Sequence, residues 1–207
     1  ALASAIITGS MLTSCSKEEA LPPIGGYNNA DEVASSNLVA YWGLNGDPKE
    51  AKSGSAPTKS QNVSYSTGIK GQAANFAAGY LAYDAIASLN SLPNATISLW
   101  ANVKNNGSNP SVFFTLTRPN EWAGNINLMA ETGWRKAASD TLVLKGLVVT
   151  KVNGNDSWQD SRNEPAKGGV QAAKFGGTWT HIVMTWDGAT SNFKIYANGV
   201  KVSNPEW

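Results

Sequence analysis

From Asn37 onward, apolar residues come in short blocks, most of which alternate with polar positions: "NLVAYWGL", "ATISLWANV", "SVFFTLT", "NINLMAE", "TLVLKGLVVT", "THIVMTW" and "NFKIYANG". Successive strand side chains point to opposite faces, so a period of two marks a half-buried strand. The blocks are rich in β-branched and aromatic residues, which suit a pleated surface. Turn formers separate them in "LNGD", "KNNGSNP", "VNGND" and "WDGATSN", as antiparallel connections require. No stretch keeps a long 3.6-residue period, and strands do not alternate with helices. The pattern predicts an all-β protein, an antiparallel β-sandwich or jelly roll. "DAIASLNSLP", residues 84 to 93, is the best candidate for a short helix or turn-rich crossover, and "DEVASSN" for a single helical turn.

The alternation is clearest in "WTHIVMTWDGATSNFKIYANG", residues 179 to 199. Trp179, His181, Val183 and Thr185 fall on one face, and Ile182, Met184 and Trp186 on the other. Asp187 and Gly188 open a turn, "FKIYANG" returns as the partner strand, and Asn198-Gly199 suits a type I′ turn.

Ahead of Asn37 the pattern breaks down. Ala20 to Ser36 holds Pro, Gly, Asn and Ala without an apolar period, as a tether or irregular lead-in would. "ALASAIITGSMLTSC" has the size of a signal-peptide core and is too short and interrupted to span about 30 Å of hydrocarbon. It lacks the Met and basic region that begin such leaders, which implies an N-terminally truncated one. The alternative, a buried first element with Cys15 as a small core residue, fits poorly with the charges and prolines that follow.

Composition narrows the function classes. A chain of 207 residues with 15% charged residues, eight Trp and twenty Gly suffices for one sandwich-sized domain. A net charge of +1 with scattered Lys and Arg leaves no electrostatic footprint for nucleic acid and no basic run for an anionic lipid surface. The single Cys cannot form an internal disulfide.

Leu12, Thr13, Ser14 and Cys15 resemble the lipobox of bacterial lipoproteins, which implies cleavage before Cys15 and lipid attachment to its thiol. Several acyl chains, each buried methylene worth about 0.8 kcal/mol, anchor firmly. Ser16, Lys17, Glu18 and Glu19 look like the lipoprotein export signal of Bacteroidetes, implying an outer-membrane, lipid-anchored protein facing the cell exterior. The same charges could simply solvate a tether.

A second resemblance covers most of residues 37 to 207. Trp179, His181, Thr185, Trp186, Asp187, Tyr196, Asn198 and Gly199 match a pattern of the laminin-G-like, concanavalin A-like lectin-glucanase superfamily. "NLVAYWGLNG" looks like its opening strand, "GIKGQAANFAAG" like its G-x-A-x-x-F strand, and "ATISLWANV" like its strand ending in Trp. The implied organisation is a signal peptide at 1–14, a lipidated tether at 15–36 and a jelly-roll domain at 37–207. Such domains continue for several strands past the Y-x-N-G hairpin, so the resemblance implies that the last strands are missing here and an edge is left unpaired.

Many relatives bind calcium through an acidic segment after the opening strand. "DPKEAKSGSAPTKSQN" offers only Asp47 and Glu50 among lysines, whereas a hard cation takes about six to eight oxygens. Calcium stays a candidate cofactor without an assigned site. "NGNDSWQD", Asn153 to Asp160, is the richer oxygen cluster, but Asn and Asp in that density usually make a turn.

Catalytic signatures are lacking. The glucanases of the superfamily carry E-x-D-x-E on one strand, which sets acid and nucleophile about 5 to 5.5 Å apart. Here Glu121 and Glu131 read as solvated loop residues. No G-x-S-x-G elbow, phosphate-cradling loop or metalloprotease motif occurs. His181, the sole histidine, reads as a strand-facing residue held by a backbone or aromatic partner, and Trp42, Trp100, Trp179 and Trp186 read as core.

Binding is what remains, so the protein is expected not to be an enzyme. Trp122 in "RPNEWAGN", Trp134 in "ETGWRKAASD" and Trp158 in "GNDSWQDSRNE" stand in loop-like polar contexts. Aromatic planes cover the C–H faces of sugars while polar groups bond the hydroxyls; Asn125, Asp156, Asp160 and Arg162 are the nearby candidates. Alternatively these tryptophans only cover loops as satellite clusters. The leading expectation is a surface-anchored, noncatalytic carbohydrate-binding lipoprotein with a glycan as partner. The alternatives are an adhesive or structural lipoprotein that binds protein, or the noncatalytic part of a larger glycan-degrading enzyme.

Overall fold

The computed structural model describes residues 26–28, 30–131, 142–162, 176–190 and 192–203. The leader-like run, Cys15, Ser16, Lys17, Glu18, Glu19 and Trp134 lie outside them. Among the described residues ten strands follow one another: β1 (Lys59–Thr67), β2 (Gln72–Ala82), β3 (Asn94–Ala101), β4 (Ser111–Leu116), β5 (Ile126–Ala130), β6 (Leu144–Val152), β7 (Asn155–Arg162), β8 (Thr180–Asp187), β9 (Asn192–Ala197) and β10 (Val200–Lys201). The segments read as helical turns form short 3-10 turns at Ala30–Glu32 and Ala87–Leu89. Contacts divide the chain into two compact units, Ala1–Ser66 with Gln72–Ala82, and Thr67–Gly71 with Tyr83–Trp207.

In the first unit β1 and β2 make a two-stranded sheet. "NLVAYWGL" is not a strand as its apolar pattern predicts, because its backbone serves a loop built around a carboxylate. Glu50 is fully buried; Oε1 accepts from Tyr41 N at 2.7 Å and Lys52 N at 3.0 Å, and Oε2 from Ser53 N at 2.6 Å. Burial alone would raise the pKa of this group, but the Ser53 bond and the backbone N–H donors outweigh it and hold the carboxyl at about 2, below its ordinary 4.5. A depressed carboxyl stabilises the fold above its unfolded value, and that stabilisation fades as pH falls from about 4.5 through about 2. Glu50→Gln therefore exposes the Tyr41, Lys52 and Ser53 amides to faster exchange at neutral pH, and its difference from wild type closes below about pH 2. A pH-independent difference in amide exchange would contradict this.

The second unit holds two four-stranded sheets, in the orders β10-β9-β8-β3 and β4-β5-β6-β7. Each neighbouring pair is antiparallel. The alternation decides which face each strand buries. Ile182 and Met184 of β8, with Phe193, Ile195 and Ala197 of β9, meet Ile126, Leu128, Ala130, Leu144 and Val148 of the other sheet in one core. Gly146 belongs to this face because the sheets come close there: a Cβ would lie 2.5 Å from Phe193 Cζ and 2.7 Å from Met184 Sδ. The result is the expected β-sandwich.

Local chemistry closes the hairpins. Asn153-Gly154 joins β6 to β7 and Asn198-Gly199 joins β9 to β10, with positive φ at all four residues, as type I′ turns demand. Asp187 accepts from Thr190 Oγ1 at 2.6 Å and Ala189 N at 2.9 Å, capping the β8–β9 turn.

Two sequence expectations need correction here. "NDSWQDSR" is strand β7 rather than a turn cluster; it has polar residues on both faces, so no apolar alternation shows. Trp100 is 47% exposed on the outer face of β3 instead of buried in the core. Its ring centroid lies 5.1 Å from that of His181, directly across the strand pair. His181 Nε2 is 2.8 Å from Ser98 Oγ, and partial burial lowers the imidazole pKa. The histidine is thus the strand-facing, aromatic-partnered residue expected. Trp186 packs against the core, as read.

Candidate functional site

Register builds the site on the outer face of β5, β6 and β7. Lys145↔Arg162, Leu147↔Asp160, Val149↔Trp158 and Lys151↔Asp156 are paired positions, so the period of two turns Asp156, Trp158 and Asp160 to one face of β7. Three of the predicted ligand-binding residues therefore stand in a single row, and Arg162 ends β7 at the register position opposite Lys145. Trp158 itself is on a strand, not in a loop.

Trp122 comes from the β4–β5 connection, residues 117–125. Its ring and that of Trp158 are stacked, centroids 6.1 Å apart at 12°. Trp122 is 74% exposed and Trp158 42% exposed. Ala123, Leu147 and Val149 form a small buried cluster on this face.

The loop carrying Trp122 is firmly tied. Asn127, itself buried, accepts from Thr115 Oγ1 at 2.7 Å and Gly124 N at 3.0 Å, and its amide donates to Gly124 O at 2.8 Å. Asn125 N donates to Leu116 O at 2.7 Å, and Val149 N to Asn125 O at 2.8 Å. Gly124 is required because a Cβ would overlap the Leu116 carbonyl. Each bond contributes only about 1 kcal/mol net, but buried groups left unmade would cost more. The ring is thus presented on a preformed loop.

Charge surrounds the two rings in matched sets. Arg118 stands over the Trp158 ring at 5.3 Å, donates from Nε to Ala123 O at 3.3 Å, and pairs through Nη1 with Asp156 at 2.8 Å. Lys151 Nζ lies 2.6 Å from the other Asp156 oxygen. Arg118 and then Lys151 hold that carboxyl below the usual range. Lys145 Nζ lies 5.9 Å from the Trp122 ring, 3.5 Å from Glu131 Oε1 and 3.3 Å from Asp160 Oδ2.

Glu131 corrects a further expectation: it is 5% exposed at the end of β5, not a solvated loop residue. A nearly buried ammonium needs such a partner, because an unpaired buried charge is strongly destabilising. Glu121 does sit in the loop, 3.9 Å from Arg118. Asn125 lines a recess of about 150 Å³ together with Leu92, Leu116 and Trp186. Arg118, Asn127, Lys145 and Lys151 were not singled out by the sequence; the spacing Lys145-x-Leu147-x-Val149-x-Lys151 is the signal that points to part of the set.

The residues offered for calcium do not fit it. Both Glu50 oxygens are occupied by backbone N–H donors, and Asp47 Oδ1 accepts from Lys49 N at 2.9 Å. In the second acidic cluster, Asp156 is faced by two cations. Among the described residues no group of three or more His, Cys, Asp or Glu is placed to hold a metal.

What the arrangement can do is present two aromatic faces, with hydrogen-bonding groups at their edges, to a flat apolar surface on a polar ligand. No curated protein and no solved structure matches the chain. The profile of the concanavalin A-like lectin/glucanases superfamily matches residues 75–206, more than half of the sequence, and spans every strand of the sandwich. By this match and by its two-sheet fold, the chain belongs to the concanavalin A-like lectin/glucanase superfamily.

Proposed function

We propose that the protein is a noncatalytic carbohydrate-binding module whose ligand stacks on Trp122 and Trp158. The observation that carries this reading is the stacked pair itself, two large rings left open to solvent on a loop and strand that are otherwise tightly bonded. Exposed aromatic surface on a rigid base is what sugar C–H faces require. The test is a glycan array probed with the full-length protein carrying Cys15→Ser, with and without calcium. Specific hits support the reading, and a blank array from a folded sample overturns it in favour of protein adhesion.

The acids near the rings serve as counter-ions for Arg118, Lys145 and Lys151, which favours binding over hydrolysis. In this proposal the module is held at the outer membrane, facing the exterior, by lipid on Cys15; the lipobox-like residues Leu12 to Cys15 and the charges Lys17, Glu18 and Glu19 support it. Cells expressing the full-length gene are expected to incorporate a fatty-acid label into the wild type and not into Cys15→Ser. Equal labelling of the two rules out this anchor.

A further inference from the structure

The surroundings of the two rings bear on the charge and length of the ligand, an inference that rests on the carbohydrate-binding reading above. Every described cation beside the rings already has a carboxylate. Arg118 holds Asp156 and approaches Glu121, Lys151 holds Asp156, and Lys145 lies between Glu131 and Asp160. The described side chains around the rings are thus three cations (Arg118, Lys145, Lys151) and four acids (Glu121, Glu131, Asp156, Asp160).

Lys145 already faces Glu131 and Asp160, so an anionic sugar that reaches it is set beside two resident carboxylates. At effective dielectrics near 20, like charges about 4 Å apart repel by about 4 kcal/mol. A uronate or sulfate would have to displace a resident acid, whereas a hydroxyl can share one. Juxtaposed like charges act against wrong partners more than they help right ones.

The rings also carry a length. Carbon surfaces in contact are about 3.5–4.0 Å apart, so a 6.1 Å centroid separation at 12° leaves a large sideways offset. The pair is a step, with part of each ring uncovered. That offset is comparable with the advance from one sugar ring to the next along an extended chain. We infer that the site takes an uncharged, extended glycan chain, at least two consecutive sugar rings of which lie along the Trp122–Trp158 step.

The test is affinity electrophoresis of the full-length Cys15→Ser protein through gels containing galactomannan, hydroxyethylcellulose, polygalacturonate or chondroitin sulfate, at about 50 and about 500 mM NaCl. The expected result is retardation by a neutral polymer, unchanged by salt and lost in Trp122→Ala. A tetrasaccharide of that polymer should compete at least about tenfold better than its monosaccharide. Retention by the anionic polymers alone, falling with salt, overturns the charge inference and leaves carbohydrate binding intact. Equal competition by the monosaccharide overturns the length. No retardation in any gel, together with a blank array, overturns the carbohydrate-binding reading as well.

Discussion

Trp158→Ala lowers affinity for the bound glycan by about thirty- to a hundredfold, corresponding to about 2–3 kcal/mol, the range of an aromatic hot spot. The ring does two things at once. It offers its own open surface and it supports Trp122, which is stacked on it at 6.1 Å. It also faces the Arg118 guanidinium, yet that group keeps Asp156 and the Ala123 carbonyl when the ring is gone. The fold therefore survives: Trp158 is 42% exposed, and stability should change by about 1 kcal/mol or less. Trp122→Ala acts on binding in the same direction, with a smaller stability change still, since that ring is 74% exposed. Calorimetric titration of wild type and both variants, alongside chemical denaturation, separates the two effects. Unchanged affinity in Trp158→Ala would mean that the rings only cover their loop.

Phe193→Ala removes about 3–5 kcal/mol of stability, the largest single effect expected in the sandwich. Phe193 is fully buried in the inter-sheet core. The cavity it leaves has no side chain opposite to fill it, because the facing position on β6 is Gly146. Domains of this size hold about 5–15 kcal/mol in all, so the variant is close to unfolding. The reverse change confirms the fit: Gly146→Ala, placing a methyl against Phe193 and Met184, costs about 1–3 kcal/mol by overpacking. Combined with Phe193→Leu it should cost less than the sum, since the methyl enters the space that the smaller side chain vacates. Urea denaturation of the wild type, Phe193→Ala, Gly146→Ala, Phe193→Leu and the Gly146→Ala/Phe193→Leu double variant measures each term. A loss under about 1 kcal/mol in Phe193→Ala would contradict this packing.

How far the sequence speaks for this protein can be seen element by element. β3, β8 and β9 announce themselves through two-residue alternation, and their turns through Asp187, Asn198 and Gly199. Both signals are local, since side-chain period and left-handed turn residues act within a few positions. β7 was hidden because its inward face carries Ser157, Gln159 and Ser161 instead of apolar residues. The stretch 38–44 looked like a strand because apolar residues recur there, but Glu50 takes its backbone into a loop.

The candidate site divides in the same way. Trp122 and Trp158 stood out on their own as aromatics in polar surroundings, and Asp156, Asp160 and Arg162 were near enough in sequence to be noticed. That Trp122 stacks on Trp158, and that Lys145 reaches both Glu131 and Asp160, follows only from the register of β5, β6 and β7. Register is a relation between strands, and a slip of one residue in β7 would turn Asp156, Trp158 and Asp160 to the core. The sequence by itself determined β3 to β6, β8 and β9, the turns and the aromatic candidates; the tertiary structure decided that Trp122 meets Trp158 and that Lys145 meets Glu131 and Asp160, because those contacts join segments that the local pattern does not connect.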